Sequence, residues 1–287
     1  MSKTPQLYKT PGDFRRALED RLKTLSDQEK TPLDRMRRRV AFDRVLARFF
    51  SDGNSRWILK GGYALEFRLQ NAARTTRDID FSISEMRQPT AEGVLDILRT
   101  EVRRDCGDWF EFLIGVPMME LEQAVYGGWR YPVESRLDNR VFSKFHLDIG
   151  IGDAIVSAPE WRKGQDFFNF AGIPPPNVAL LPLDQQFAEK IHAYTLPRAN
   201  RLNSRTRDLI DIILIIDFGL PNKESVKKAL HATFKRRNTH SLPAKLTTPP
   251  ENWNARYKKM AEECGISKKI MEEAFSFLEN YWEGIFK

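Results

Sequence analysis

Apolar residues recur at helical spacing from the start: Phe14, Leu18, Leu22 and Leu25 lie three to four positions apart and predict a helix. Thr31, Pro32 and Asp34 predict the start of a second helix, with Thr31 as its N-cap. The pattern then changes. Trp57-Ile58-Leu59 is a short apolar run ended by Lys60-Gly61-Gly62, and helical spacing resumes over residues 63–69, giving strand, glycine turn, helix. Residues 71–76 read as a polar loop, and 78–83 alternate acidic and apolar as a strand does. A helix over 92–104 uses Val94, Leu95, Leu98 and Val102, followed by strands over 110–116, 124–133 and 141–149. A mixed sheet is thus expected to be complete near Gly152. Pro174-Pro175-Pro176 marks a loop or boundary, because proline lacks the backbone donor. Beyond it helices are predicted over 183–194, 205–218, 223–236, 252–263 and 268–285, with no internal repeat. The expected fold class is α+β, a mixed β-sheet with helices followed by a helical C-terminal domain. The expected divisions are N-terminal helices packing on the core (1–55), an α/β core (56–173) and a helical domain that completes the active site (174–287).

Composition narrows the picture without redirecting it. The 287 residues are 41% hydrophobic, enough for a real core, and no run approaches the ~20 apolar residues of a membrane-spanning helix. Residues 1–6 lack the apolar region of a secretory signal, so a cytoplasmic location and no membrane partner are expected. Cys106 and Cys264 stand far apart without metal-ligand spacing and read as core thiols. The net charge of +7 suits a polyanionic partner. Its distribution is uneven: residues 201–250 hold 10 Lys/Arg against 4 acids, which supplies 6 of the excess charges.

Within the predicted strand over 78–83, Asp78 and Asp80 project from one face while Ile79 and Phe81 point to the core. Two carboxylates on one face repel unless a cation joins them, and hard oxygen ligands suit Mg²⁺; an exposed polar strand edge has the same sequence. Gly61-Gly62 between strand and helix lets the backbone approach a phosphate at a helix N-terminus, or simply makes a tight turn. A third acid, Asp148, stands in the apolar run Phe145-His146-Leu147-Asp148-Ile149, where an unpaired charge is costly. If that strand neighbours the first, the three acids form a two-metal site, one ion activating a hydroxyl and one binding a triphosphate. Asp153 falls in the following loop and ranks below Asp148. His146 and His192 could be taken for ligands, but direct chemistry is the lesser reading for each: His146 lies on the strand face of Asp148, opposite Leu147, and His192 reads as a helix-packing or orienting residue.

At this point the chain resembles a known family. Leu59-Lys60-Gly61-Gly62-Tyr63-Ala64-Leu65 and Thr76-Arg77-Asp78-Ile79-Asp80-Phe81 are similar to the first motif of the AbiEii/AbiGii-type nucleotidyltransferase toxins, the MenT-like branch of the polymerase-β-like nucleotidyltransferase superfamily. Ala188-Glu189-Lys190-Ile191-His192-Ala193 resembles the family's lysine-bearing helix motif, and Ser204-Arg205-Thr206-Arg207-Asp208-Leu209-Ile210-Asp211 its R-x-[KR]-D-L-x-D motif. One departure is the separation of Gly62 and Asp78 by 15 residues, more than in the general polymerase-β-like nucleotidyltransferase pattern, although this toxin branch tends to have a longer insert. The resemblance implies a nucleotidyltransferase-type core with Asp78, Asp80 and Asp148 as metal ligands. It implies Asp80, Asp148, Lys190 and Asp211 as catalytic residues, with Asp211 either orienting Lys190 or helping to deprotonate the acceptor. Lys60, Gly61, Gly62, Thr76, Lys190 and Arg205 are the implied nucleotide contacts.

The expected activity is Mg²⁺-dependent transfer of NMP from an NTP to an acceptor hydroxyl, with release of pyrophosphate. The resemblance implies a toxin of a toxin–antitoxin pair, with the 3′ end of tRNA as acceptor and a cognate antitoxin as protein partner. The basic runs at Arg35–Arg39 and Lys235–Arg237 are then expected to meet RNA phosphates. Two other classes share parts of the pattern: small-molecule adenylyltransferases of the antibiotic-modifying type, and RNA-binding proteins with a degenerate site. A cationic acceptor favours an acidic cleft, whereas here the helical half is basic; the retained acids and lysine argue against a degenerate site.

Overall fold

A computed structural model of the chain describes residues 7–53, 56–83, 90–121, 127–197, 205–219 and 222–287. The start of the predicted strand over 124–133 and Ser204 of the last motif lie outside the described residues. The elements run α1 (Pro11–Glu29), α2 (Leu33–Phe49), β1 (Trp57–Lys60), α3 (Gly61–Leu69), β2 (Asp78–Ile83), α4 (Ala91–Val102), β3 (Phe110–Ile114), β4 (Met119–Glu120), β5 (Gly128–Leu137) and β6 (Arg140–Ile151). They continue as β7 (Glu160–Lys163), β8 (Asn177–Leu180), α5 (Leu183–Thr195), α6 (Thr206–Phe218), α7 (Lys223–Arg237), α8 (Asn254–Glu263) and α9 (Met271–Phe286). Contacts group them into two compact units, each described by itself. The first draws on the described parts of Met1–Leu59, Arg77–Gly152 and Glu160–Leu180; the second on Lys60–Thr76, Asp153–Pro159 and Leu181–Lys287.

The first unit is built on a mixed sheet of order β3-β5-β6-β2-β1-β8-β7, with β4 paired to β5. β2 runs parallel to β6 and β1 parallel to β8, while the β3/β5, β5/β6 and β7/β8 pairs are antiparallel. The sheet therefore does not end at Gly152. β7 and β8, two four-residue strands beyond it, extend the sheet past β1. Their sequences Glu160-Trp161-Arg162-Lys163 and Asn177-Val178-Ala179-Leu180 are too short and too mixed for a period of two to stand out.

α1 begins where Thr10 accepts a hydrogen bond from the Asp13 amide at 3.1 Å and Pro11 opens the first turn. It buries Phe14, Leu18 and Leu22 and stops at Lys30, which is left-handed at φ 49°. α2 starts one residue later than the predicted cap: Pro32 takes that position, and Thr31 is buried just before it. α2 lies on the sheet through Phe42 against Phe145 (4.9 Å between centroids) and Phe49 stacked on Phe81 at 5.0 Å. Burying Arg48 in this layer requires a partner, and Asp108 supplies one through bonds of 2.9 and 2.7 Å.

The second unit is a helical cluster with α3 in it. Leu65 packs with Phe187, Ile191, Leu209, Ile213, Leu230, Tyr257, Leu278 and Trp282 in one apolar core. The isoleucine-rich run of α6 is buried from Leu209 to Ile215, as its composition predicts. α3 is also tied down by polar bonds: Gln186 donates to the Gly61 carbonyl at 2.6 Å, and Arg68 to the Leu181 carbonyl at 2.6 Å.

Candidate active site

In the first unit the alternation of β2 buries Ile79 and Phe81 fully and leaves Asp78 and Asp80 partly exposed on the opposite face. The parallel pairing with β6 sets Asp80 beside Asp148 and Asp78 beside His146 as Cα partners. The conditional neighbour relation between the two acid-bearing strands is thus met, and three carboxylates share one sheet face.

Two side chains organise that face. Arg130, on β5 and the Cα partner of Asp148, donates to both Asp148 oxygens at 2.7 and 2.6 Å and lies 3.6 Å from Asp78 Oδ2. His146 Nδ1 stands 2.9 Å from Asp78 Oδ1, which makes His146 an orienting partner of the acid. Hydrogen bonding to Asp148, opposed in part by burial, holds the Arg130 pKa above the ordinary arginine value. Among the described residues no group of three or more His, Cys, Asp or Glu side chains is arrayed to hold a metal ion.

In the second unit the glycine turn and the lysine motif come together through a residue that carries no motif. Gly61 has φ +66°, a left-handed conformation that favours glycine. Gly62 is needed for space: a Cβ there would stand 2.7 Å from Arg74 Nη2 and 2.8 Å from Thr76 Oγ1. Arg74 reaches past Gly62 to Asp211, giving it two hydrogen bonds of 2.8 Å in fork geometry. Lys190 contacts Asp208 at 2.9 Å and Asp211 at 2.8 Å, and Arg205 reaches Asp208 at 3.4 Å. Spacing by three along α6 therefore does put Arg205, Asp208 and Asp211 within reach of one another's partners. Burial opposes the charge on Lys190, but Asp208 and Asp211 outweigh it and raise its pKa; burial likewise works against the Asp211 carboxylate, and Arg74 and Lys190 win, keeping its pKa low. The Thr76 hydroxyl is buried and has no hydrogen-bond partner among the described residues.

Lys60 is placed differently from a free phosphate ligand. Its ammonium is paired with Asp153, which also accepts from Arg237 at 3.2 Å. Asp153 is accordingly a buried counter-ion of two cations. His192 donates to or accepts from Thr239 at 2.8 Å, and its ring lies 4.7 Å from His240, in keeping with a packing and orienting role. Cys264 is buried, whereas Cys106 is only partly covered.

Arg74 and Arg130 are the residues that sequence reasoning missed. One lies in a polar loop and the other in a strand, where an arginine has no distinguishing spacing. Only the pairing of β5 with β6, and the lack of a Cβ at 62, give them partners.

Residues 44–277 match the family model described as "Nucleotidyl transferase AbiEii toxin, Type IV TA system". Among solved structures the chain is similar to MenT4, a nucleotidyltransferase toxin of Mycobacterium tuberculosis H37Rv, at 18% identity and a TM-score of 0.56, covering 97% of this chain and 98% of that one. The antibiotic-resistance factor ANT(2″)-Ia, bound to adenylyl-2″-tobramycin, is 18% identical over 69% of this chain and 97% of its own, with a TM-score of 0.38. No curated protein matches. The family match spans well over half of the 287 residues, and the motifs that carried the resemblance lie inside it. The chain belongs to the AbiEii family of nucleotidyltransferase toxins and is a nucleotidyltransferase.

Proposed function

We propose that this enzyme transfers a nucleoside monophosphate from an NTP to an RNA hydroxyl, the 3′ end of tRNA, using Mg²⁺ held by Asp78, Asp80 and Asp148. The observation that carries the proposal is the register of β2 on β6, with Asp80 opposite Asp148 and Asp78 on the same face. Such a face needs a cation, and it already draws in the guanidinium of Arg130. Its ligands are all oxygen, which suits Mg²⁺. When bound, the metal supplies charge neutralisation on the phosphates and a more acidic acceptor hydroxyl.

The remaining roles follow from charge and position. Lys190 offers an ammonium that stays protonated at neutral pH, to neutralise phosphate charge. Asp211 orients Lys190 rather than accepting a proton, because a carboxylate with two cations on it and a lowered pKa is a weak base. Gly61 and Gly62 bring backbone amides at the start of α3 toward the nucleotide, and the Thr76 hydroxyl is a spare donor beside them. Arg205, partly exposed beside Asp208, is the outer cation of the same set. Lys60 remains in the proposal as the residue leading into the turn, with its ammonium already taken by Asp153.

tRNA as acceptor is favoured over a small cationic acceptor by the net charge of +7 and by the exposed Lys235 and Arg236 at the end of α7. The reaction belongs in the cytoplasm, where both substrates are abundant, with a cognate antitoxin as partner. Among the described residues no helix is long and apolar enough to cross a membrane. The test is incubation with total tRNA and each labelled NTP in turn, followed by sequencing of the labelled ends. Label on tRNA 3′ ends supports the proposal, and label on small molecules alone overturns it.

A further inference from the structure

Arg130 stands on the acid face, and its position has a chemical cost. Cross-strand partners in an antiparallel pair share a sheet face, so the pairing of Arg130 with Asp148 aims the guanidinium at the carboxylate from the next strand. Both Asp148 oxygens accept from it at 2.7 and 2.6 Å, and a third approach, 3.6 Å, reaches Asp78. The Asp148 side chain is 11% exposed and that of Arg130 30%, so the pair is only partly screened by water. A divalent ion at this face needs at least one Asp148 oxygen at about 2.1 Å for Mg²⁺. At that distance it repels a guanidinium bound to the same carboxylate.

We propose that Arg130 is the resident counter-ion of the acid face: it competes with the divalent metal for Asp148 and must release that carboxylate for the metal to bind. The inference rests on the reading of Asp78, Asp80 and Asp148 as metal ligands. It makes metal binding weak while no other anion is present. A nucleotide triphosphate arriving with the metal gives the released guanidinium a new anionic partner. Metal and nucleotide then bind with positive coupling, which is reciprocal. Arg130 acts as a positioning residue for the loading step and takes no part in bond making.

The test titrates Mn²⁺ into the nucleotide-free full chain and follows loss of the free-ion electron paramagnetic resonance signal. Wild type, Arg130→Gln, Arg130→Lys and the double variant Asp80→Asn/Arg130→Gln are compared, with circular dichroism melts to check folding. Arg130→Gln is expected to bind Mn²⁺ about tenfold more tightly than wild type, since the fork of two charged hydrogen bonds is gone. Arg130→Lys, which holds a single oxygen as a point charge, falls between them. It carries the test alone if the glutamine variant does not fold. The added Asn at 80 should abolish the gain. Measurable binding that is equal in wild type and the Arg130 variants overturns the role of Arg130 and leaves the metal reading standing, whereas a gain that survives Asp80→Asn overturns the reading of Asp80 as a ligand of that metal. Absence of Mn²⁺ binding in every variant overturns the metal reading as well.

Discussion

At the scale of single residues, the arrangement turns on two small spaces and the charges that fill them. Gly62 is one: Arg74 and Thr76 occupy the volume of its missing side chain. Gly62→Ala is expected to lower stability by about 1–3 kcal/mol, the usual cost of overpacking, and to weaken NTP binding because Arg74 and Thr76 must shift. Thermal melts and nucleotide titration read the two effects. Asp211 is the other: fully buried, it is the shared acceptor of Arg74 and Lys190. Asp211→Asn leaves two cations short of a partner and should cost roughly 3–5 kcal/mol in urea unfolding. The equivalent change at exposed Asp34, whose ion pair with Arg37 is at the surface, should cost less than about 1 kcal/mol. That Asp78 and Asp80 share a face was legible in sequence because strand alternation fixes it. Their partners were not. Arg130 and Arg74 gain meaning only from cross-strand register and from a contact over 137 positions of chain.

At the scale of elements, β2, α3, α5 and α6 fall close to where periodicity puts them, since each has a strong apolar repeat and a clear stop. β7 and β8 were missed because four residues offer no period, and the pairing of Leu59 with Leu180 joins segments far apart in sequence. The join of α5 to the end of α7 gives a pH prediction. His192, 1% exposed, has its pKa pushed down to about 3 by burial, with Arg237 and His240 adding to the effect. Its folded pKa lies below the unfolded value of about 6.5, so the unfolded chain binds the extra proton. The contribution of neutral His192 to stability is therefore full above about pH 6.5 and is lost progressively as pH falls toward 3. Melting temperature measured from pH 7.5 to 4 should fall less steeply for His192→Gln, which keeps a polar bond to Thr239 without titrating.

At the scale of the whole molecule, the net charge of +7 is not spread evenly between solvent and interior. On α2, Arg37 binds Glu19 and Arg39 binds Glu29 and Gln165, while Arg44 and Arg48 are buried. Arg37 and Arg39 of the run Arg35–Arg39 are thus engaged within the chain. Lys235 and Arg236 are exposed and line an open cavity of about 580 Å³ with Asp153–Val156 and Ala232. Replacing both by alanine should weaken tRNA binding at low salt and reduce the slope of log K against log salt by about 1.5, with little change in melting temperature.

The central claim is that the acid face of β2 and β6 catalyses nucleotide transfer. Its most direct test is transfer of label from an NTP to tRNA by Asp80→Asn, at saturating Mg²⁺, beside wild type of the same melting temperature. Loss of at least roughly a hundredfold in kcat is the predicted result, in line with removing one ligand of a charge-neutralising site. Transfer at the wild-type rate would contradict the account.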